Sequence, residues 1–255
     1  MPLDEDDPAN LVDPEDRRLS FGRRAADYDR FRPAYPGAAV EWALGPVSRR
    51  VIDLGAGTGL MSEVLLQCGH HVVAVEPDEG MRTQLTTRNG GRVEAVAGSA
   101  ESIPVEDGTF DAIVVAQAFH WFDLPTALPE LARVLRPRGV LVIVWNVRDD
   151  DVDWVEQMSR IVGRVDARSG NRDEGVPQIA PWFEPAEQGT FSYHQHLDAV
   201  SLERLVDTYS YVALSPARDE ILQQIRDLTS EHPSLAGRAS FTLPYVTTVY
   251  RATKA

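Results

Sequence analysis

The segment Val51-Ile52-Asp53-Leu54-Gly55-Ala56-Gly57-Thr58-Gly59 sets three glycines at spacing two behind an apolar run that carries one acid. Glycine adopts positive φ and has no Cβ, so a ligand can approach the backbone closely at such a turn. Amides at the start of the helix behind the turn carry partial positive charge and are expected to face that ligand. This is the chemistry of a nucleoside-cofactor site. Glu76 lies 23 residues beyond Asp53, at the end of a second apolar run. A carboxylate at that place accepts hydrogen bonds from both hydroxyls of a ribose. It also reads as a solvated acid at a strand end. Gly98-Ser99-Ala100-Glu101-Ser102-Ile103-Pro104 follows a third run. Small residues admit a flat ring there, and Ala100 and Glu101 are candidates to touch adenine. Ser99 also reads as the cap of a helix start.

A nicotinamide dinucleotide site carries G-x-G-x-x-G after its first strand. Here the third glycine, Gly59, comes one position early, and Asp53 ends the strand. An acid is badly placed beside a pyrophosphate and well placed to receive hydrogen bonds from an ammonium group or the local backbone. The near end of the ligand is therefore expected to be an amino acid. A nicotinamide-dependent oxidoreductase remains a lesser alternative, as does a catalytically silent protein that only binds the cofactor.

The other chemistry-bearing residues cluster in Gln117-Ala118-Phe119-His120-Trp121-Phe122. His120 is the candidate base, since imidazole titrates near neutral pH. It reads equally as a packing histidine that orders the loop. Gln117 offers both a carbonyl and an amide to cofactor or substrate. Phe119, Trp121 and Phe122 wall an apolar pocket or fill the core. Trp182, Phe183, Tyr209 and Tyr211 are further candidates to line an acceptor pocket. His194 and His196 lie two apart and share one face of a strand. With no third ligand visible, no metal is expected.

These residues need a scaffold of alternating strands and helices. Strands are expected at 50–54, 71–75, 93–97, 110–116 and 139–145, and helices at 38–44, 60–68, 78–88 and 124–135. Near-continuous apolar runs such as Ala112-Ile113-Val114-Val115-Ala116 suit parallel strands covered on both faces. Repeated βα units build a doubly wound α/β sheet, whose ligands sit outside the carboxyl ends of the strands. Helical turns are expected at 17–32, ended by Arg32-Pro33-Ala34-Tyr35-Pro36. After Asp149 the rhythm breaks. Helices are expected at 151–165, 201–209 and 218–228, with a loose capping arrangement around Asp198 and Ser201. Strands are expected at 190–196 and 241–251, around an irregular stretch at 167–189. Pro244 implies an edge strand or a bulge.

With 255 residues, of which 43% are hydrophobic, the chain can bury a full core. No apolar run is long enough to span a membrane. The acidic start is unlike a signal peptide. The single cysteine, Cys68, excludes an internal disulfide, suits a reducing cytoplasm and reads as buried filler. The net charge is -14, and residues 1–16 hold seven acids and no base, which is -7 of that total. That segment reads as a disordered tail. The acidic balance disfavours a nucleic-acid partner.

Taken together, 51–59, Glu76, 98–101, Phe110-Asp111-Ala112-Ile113-Val114-Val115 and Leu131-Ala132-Arg133-Val134-Leu135-Arg136-Pro137-Arg138-Gly139-Val140-Leu141 resemble class I S-adenosylmethionine-dependent methyltransferases. Tyr28-x-x-x-Arg32-Pro33-x-Tyr35-Pro36 and residues 117–122 are similar to the small-molecule, trans-aconitate-methyltransferase-like (type 11) subgroup. The resemblance implies a Rossmann-like, mostly parallel seven-stranded sheet with the last strand antiparallel. It implies a single domain over 17–255, made of an N-terminal helical lid at 17–46, a cofactor core at 47–149 and a substrate-side lid with closing strands at 150–255. It implies that Tyr28, Arg32, Asp53, Gly55, Ala56, Gly57, Gly59, Glu76, Pro77, Met81, Ser99, Ala100, Glu101 and Gln117 hold the cofactor, with Arg32 either on the methionine carboxylate or on the surface. Tyr35, Phe119, His120, Trp121 and Trp145 would meet a small-molecule acceptor. The expected activity is methyl transfer to an oxygen, nitrogen or carboxylate acceptor by a cytoplasmic monomer or homodimer.

Overall fold

A computed structural model of the chain describes residues 29–163 and 178–255. The expected acidic tail, Tyr28 and most of the N-terminal helical turns lie outside the described residues. In chain order the elements are α1 (Gly37–Leu44), β1 (Arg50–Leu54), α2 (Leu60–Gln67), β2 (His71–Val75), α3 (Glu79–Asn89), β3 (Glu94–Val96) and β4 (Phe110–Ala116). A 3-10 turn (Phe119–Trp121), α4 (Leu124–Val134), β5 (Leu135–Arg148), α5 (Asp153–Val162) and β6 (Glu187–Leu197) follow. The chain closes with α6 (Ala199–Asp207), α7 (Ser210–Ala213), α8 (Arg218–Glu231) and β7 (Phe241–Thr253).

The strands form one seven-stranded sheet in the order β3-β2-β1-β4-β5-β7-β6. The pairs β1·β2, β1·β4, β2·β3 and β4·β5 are parallel, and β7 runs antiparallel. This is the doubly wound sheet that the apolar runs require. Alternate residues of each strand enter opposite layers. Ile52, Leu54, Val73, Val75, Ile113 and Val115 pack with Leu128 and Leu131 of α4. Val51, Val72, Ala74, Ala112 and Val114 pack with Val40 and Leu44 of α1 and Val64 and Leu65 of α2. Asp53 shares the parity of Val51, so the pleat turns its carboxylate toward the α1–α2 layer.

By internal contacts the chain forms two compact units. One holds described residues 34–147, 178–193 and 246–255, and the other holds 29–33, 148–163 and 194–245. The second unit is built on α5, α6, α7 and α8. Asp198 caps α6 by accepting from Ser201 N at 2.7 Å, so that helix begins at Ala199 rather than Ser201. Trp154 of α5 packs edge-on to Phe241, with ring centroids 5.5 Å apart.

Three other expectations are corrected. β5 begins at Leu135, four residues early, because the ladder with β4 slips: Phe110 faces Leu135 while Ala112 faces Val140. Arg138 takes a φ of 63° within that bulge. β7 lies between β5 and β6 and is no edge strand. Proline lacks only the donor, and Pro244 still accepts from Asp149 N at 3.0 Å. Cys68 is half-buried at the end of α2, not enclosed.

Candidate functional site

β1 hands the chain to α2 through Gly55, Gly57 and Gly59, at φ of 68°, 55° and 85°. All three lie in the left-handed region that other residues reach only with strain. At Gly55 a Cβ would also stand 2.7 Å from the Ala118 Cβ, so this glycine lets the loop after β4 approach. At Gly57 a Cβ would meet nothing within 4 Å.

Four amides of the turn itself are bonded within the chain. Gly55 N and Ala56 N donate to Val75 O at 2.8 and 3.3 Å, and Gly59 N donates to Ala56 O at 2.9 Å. Gly57 N donates to Glu76 Oε2 at 2.9 Å. The turn is thereby tied to the end of β2, and what it leaves at Gly57 is open space.

Glu76 is buried, and its Oε1 accepts from Asp78 N at 2.9 Å. Burial raises its pKa, while the Asp78 and Gly57 amides and the Arg82 charge pull it down. With one amide on each oxygen, the carboxylate still has two lone-pair directions for further donors. Asp53 is 1% exposed. Ser62 Oγ of α2 donates to its Oδ2 at 2.6 Å, and its Oδ1 is buried without a partner. Burial above all, with the Glu76 charge adding, raises its pKa to about 7.

After β3, Gly98 packs too tightly for a side chain, since a Cβ would stand 2.6 Å from Pro104 Cδ. Ser99 and Ser102 exchange two backbone hydrogen bonds of 3.2 Å. This is a tight turn, so Ser99 caps no helix. Ala100 is buried at its tip. Glu101 Oε1 accepts from Asp123 N at 3.0 Å, ahead of α4.

After β4, Gln117 takes a φ of 57°. Its backbone N donates to Val144 O at 3.0 Å and its Nε2 to Asn146 O at 2.8 Å. Asn146 is a junction absent from the sequence reading. Its Nδ2 donates to Ala34 O at 2.9 Å and its Oδ1 accepts from Thr247 Oγ1 at 2.6 Å. His120 is exposed, with its ring centroid 4.5 Å from that of Trp121 and 5.4 Å from that of Trp145. Phe119 and Trp145 are buried in the core layer beside α4, with Trp121 and Phe122 packed against it.

The turn, Glu76, the Ser99–Ser102 turn, Gln117 and His120 all sit at the carboxyl ends of neighbouring parallel strands. Met81 is buried in the first turn of α3, while Pro77 is exposed. Tyr35 is half-buried against the α1–α2 layer. Arg32 belongs to the second unit. There its Nε donates to Thr208 Oγ1 at 3.0 Å, and its guanidinium lies over the Tyr209 ring, 4.6 Å from the centroid. The four aromatics offered as pocket lining divide. Phe183 is buried in the first unit's core and Trp182 is exposed, while Tyr209 and Tyr211 are buried and stacked in the second unit. His194 and His196 do share the exposed face of β6. Among the described residues no cluster of metal-ligating side chains forms.

Ser62 and Arg82 were also missed, although each left a trace. Ser62 is a polar residue in a buried slot of an apolar helix. Arg82 is a cation in the first turn of α3, where the helix dipole disfavours one.

The residues present fit a nucleoside cofactor with an amino-acid end. The Glu76 carboxylate beside a glycine turn suits a ligand with a ribose diol. A Cβ at Gly57 would fill the space left for it. Sheet order and site together define a class I S-adenosylmethionine-dependent methyltransferase. Residues 52–143 match the family model described as "Methyltransferase domain". An uncharacterised methyltransferase of Mycobacterium tuberculosis is 41% identical over 242 residues, covering 94% of this chain and 98% of that protein. One from Schizosaccharomyces pombe is 31% identical over 208 residues, covering 79% and 82%. A solved type II methyltransferase from Anaeromyxobacter dehalogenans superposes with a TM-score of 0.67 at 25% identity, covering 88% of this chain and 97% of that one. The chain belongs to this methyltransferase family, is an enzyme and uses S-adenosylmethionine.

Proposed function

We propose that the enzyme methylates an oxygen, nitrogen or carboxylate of a small molecule, with His120 as the base where the acceptor must lose a proton. The observation that carries this reading is the exposed imidazole of His120 near the indoles of Trp121 and Trp145 after β4, beside the other strand ends of the site. The cofactor, when bound, supplies a methyl group activated by its sulfonium. Glu76 accepts the ribose hydroxyls on its two remaining lone pairs. Gly55, Ala56, Gly57 and Gly59 accommodate the methionine part, and Asp53 supports the turn through its bond to Ser62. Ser99, Ala100 and Glu101 border the adenine, with Pro77 and Met81 on the β2 side. The resemblance adds Tyr28 and Arg32 as candidates for the methionine end. Gln117, locked by Asn146, stands between cofactor and acceptor. Tyr35, Phe119, Trp121 and Trp145 shape the acceptor's apolar surroundings. Alignment of nucleophile and methyl is then the protein's main contribution, and His120 accepts the departing proton. The acidic balance of the chain supports a small molecule over a nucleic acid.

The test is release of S-adenosylhomocysteine from panels of small alcohols, amines and carboxylic acids, set beside RNA, DNA and protein. A small-molecule panel should give turnover, and His120→Ala should lower it by about 100-fold or more for alcohols and amines, the scale of a lost general base. Turnover on polymers alone would remove the proposal. In parallel, Glu76→Ala should weaken S-adenosylhomocysteine binding in calorimetry by about 1–3 kcal/mol. Unchanged affinity would remove the ribose assignment.

A further inference from the structure

Arg82 belongs to α3, one turn beyond the Asp78 cap. Its Nη1 donates to Glu76 O at 2.8 Å and to Pro77 O at 2.6 Å. One guanidinium nitrogen therefore holds both carbonyls of the peptide corner that carries Glu76. The corner is held at four further places, the first of them the bond from Gly57 N to Glu76 Oε2. Glu76 N donates to Val96 O at 3.1 Å, Asp78 N donates to Glu76 Oε1, and Asp78 Oδ1 accepts from Met81 N at 2.8 Å. Of these ties only Arg82 brings positive charge. Among the described residues it forms no ion pair. Burial and the Asp78 charge in the same corner both oppose the ionisation of Glu76, and the Arg82 charge favours it. The helix dipole disfavours a cation at that place, and the Glu76 carboxylate offsets it.

We infer that Arg82 is a positioning residue for nucleoside recognition: it fixes the Glu76 corner and supplies the positive charge that keeps Glu76 an acceptor for the ribose hydroxyls. The inference rests on the assignment of Glu76 to the ribose. Arg82 touches no part of the reacting system. Its effect is on which sugar the site accepts.

The experiment compares calorimetric binding of S-adenosylhomocysteine with that of its 2′-deoxy analogue, in the wild type and in Arg82→Leu, Arg82→Gln and Arg82→Lys. The wild type should prefer the ribose ligand by about tenfold or more. Arg82→Leu should weaken S-adenosylhomocysteine by about tenfold and shrink the preference to about twofold. Arg82→Lys, which keeps charge and donors, should retain most of the preference. A Leu variant that binds more weakly but keeps the full preference overturns the inference, because a merely structural arginine would give that result. Should the Leu variant not fold, the Gln variant, which keeps a donor without charge, makes the same comparison. A wild type indifferent to the 2′-hydroxyl overturns the ribose assignment, and the inference falls with it.

Discussion

Asp53 is the least comfortable residue of the site. It lies under the glycine turn with one oxygen on Ser62 and the other unpartnered, and burial lifts its pKa to about 7. In the unfolded chain it ionises near 3.8. Between those values the folded state holds a proton that the unfolded state has lost. Its contribution to stability is therefore complete below the unfolded pKa and disappears as pH rises through the folded one. The loss is about 1.4 kcal/mol per pH unit, and on the order of 4 kcal/mol across the window. Asp53→Asn removes the titration at nearly constant shape. The variant should gain stability over the wild type from about pH 5 to about pH 8 in urea unfolding. A difference that stays flat with pH would show that Asp53 is ionised throughout. The acid itself was legible from its place in the motif, because a strand-to-glycine turn fixes it in one dimension. Its partner was not. Ser62 comes within reach only once α2 folds back over β1.

Among the elements, the parallel strands were legible because their residues are apolar without a break, and β1, β2 and β4 begin and end where the sequence put them. β5 was misjudged at its start because Arg136, Pro137 and Arg138 look like a turn, and only the ladder with β4 keeps that segment in the sheet. The loop after β4 was legible as functional, but not what holds it. Asn146 joins Gln117, Ala34 and Thr247 across separations of 29, 112 and 101 residues, which no local pattern reports. Its Oδ1 depends on Thr247, a residue with 0% exposure. Thr247→Val preserves volume and removes that donor. The cost should be about 1–3 kcal/mol in urea unfolding, the penalty for leaving a buried carbonyl unpaired. A loss below about 0.5 kcal/mol would mean that the amide turns to another donor and that the junction does not depend on Thr247.

For the molecule as a whole, the second unit was the least legible part. Its ties link distant residues, such as His232 Nε2 to Asp153 Oδ2 at 2.8 Å and Arg218 Nε to Asp207 Oδ1 at 2.7 Å. Amphipathic helices are visible locally, but their partners are set by the fold. Charge, by contrast, is a property of the entire chain that the sequence states outright: -14, at a pI of about 4.8. An acidic protein draws cations toward itself, and salt screens that attraction over about 10 Å at 0.1 M. S-adenosylmethionine carries one net positive charge near neutral pH, whereas S-adenosylhomocysteine carries none. The two ligands are otherwise almost the same size and shape. Stopped-flow association should therefore slow severalfold for S-adenosylmethionine between about 0.02 and 0.5 M NaCl, and change by less than about twofold for S-adenosylhomocysteine. Dissociation rates should respond much less, since steering acts on the approach. Equal salt dependence for the two ligands would show that the excess acid is spread away from the mouth of the site. It would then serve solubility and leave cofactor capture to the short-range contacts around Gly57 and Glu76.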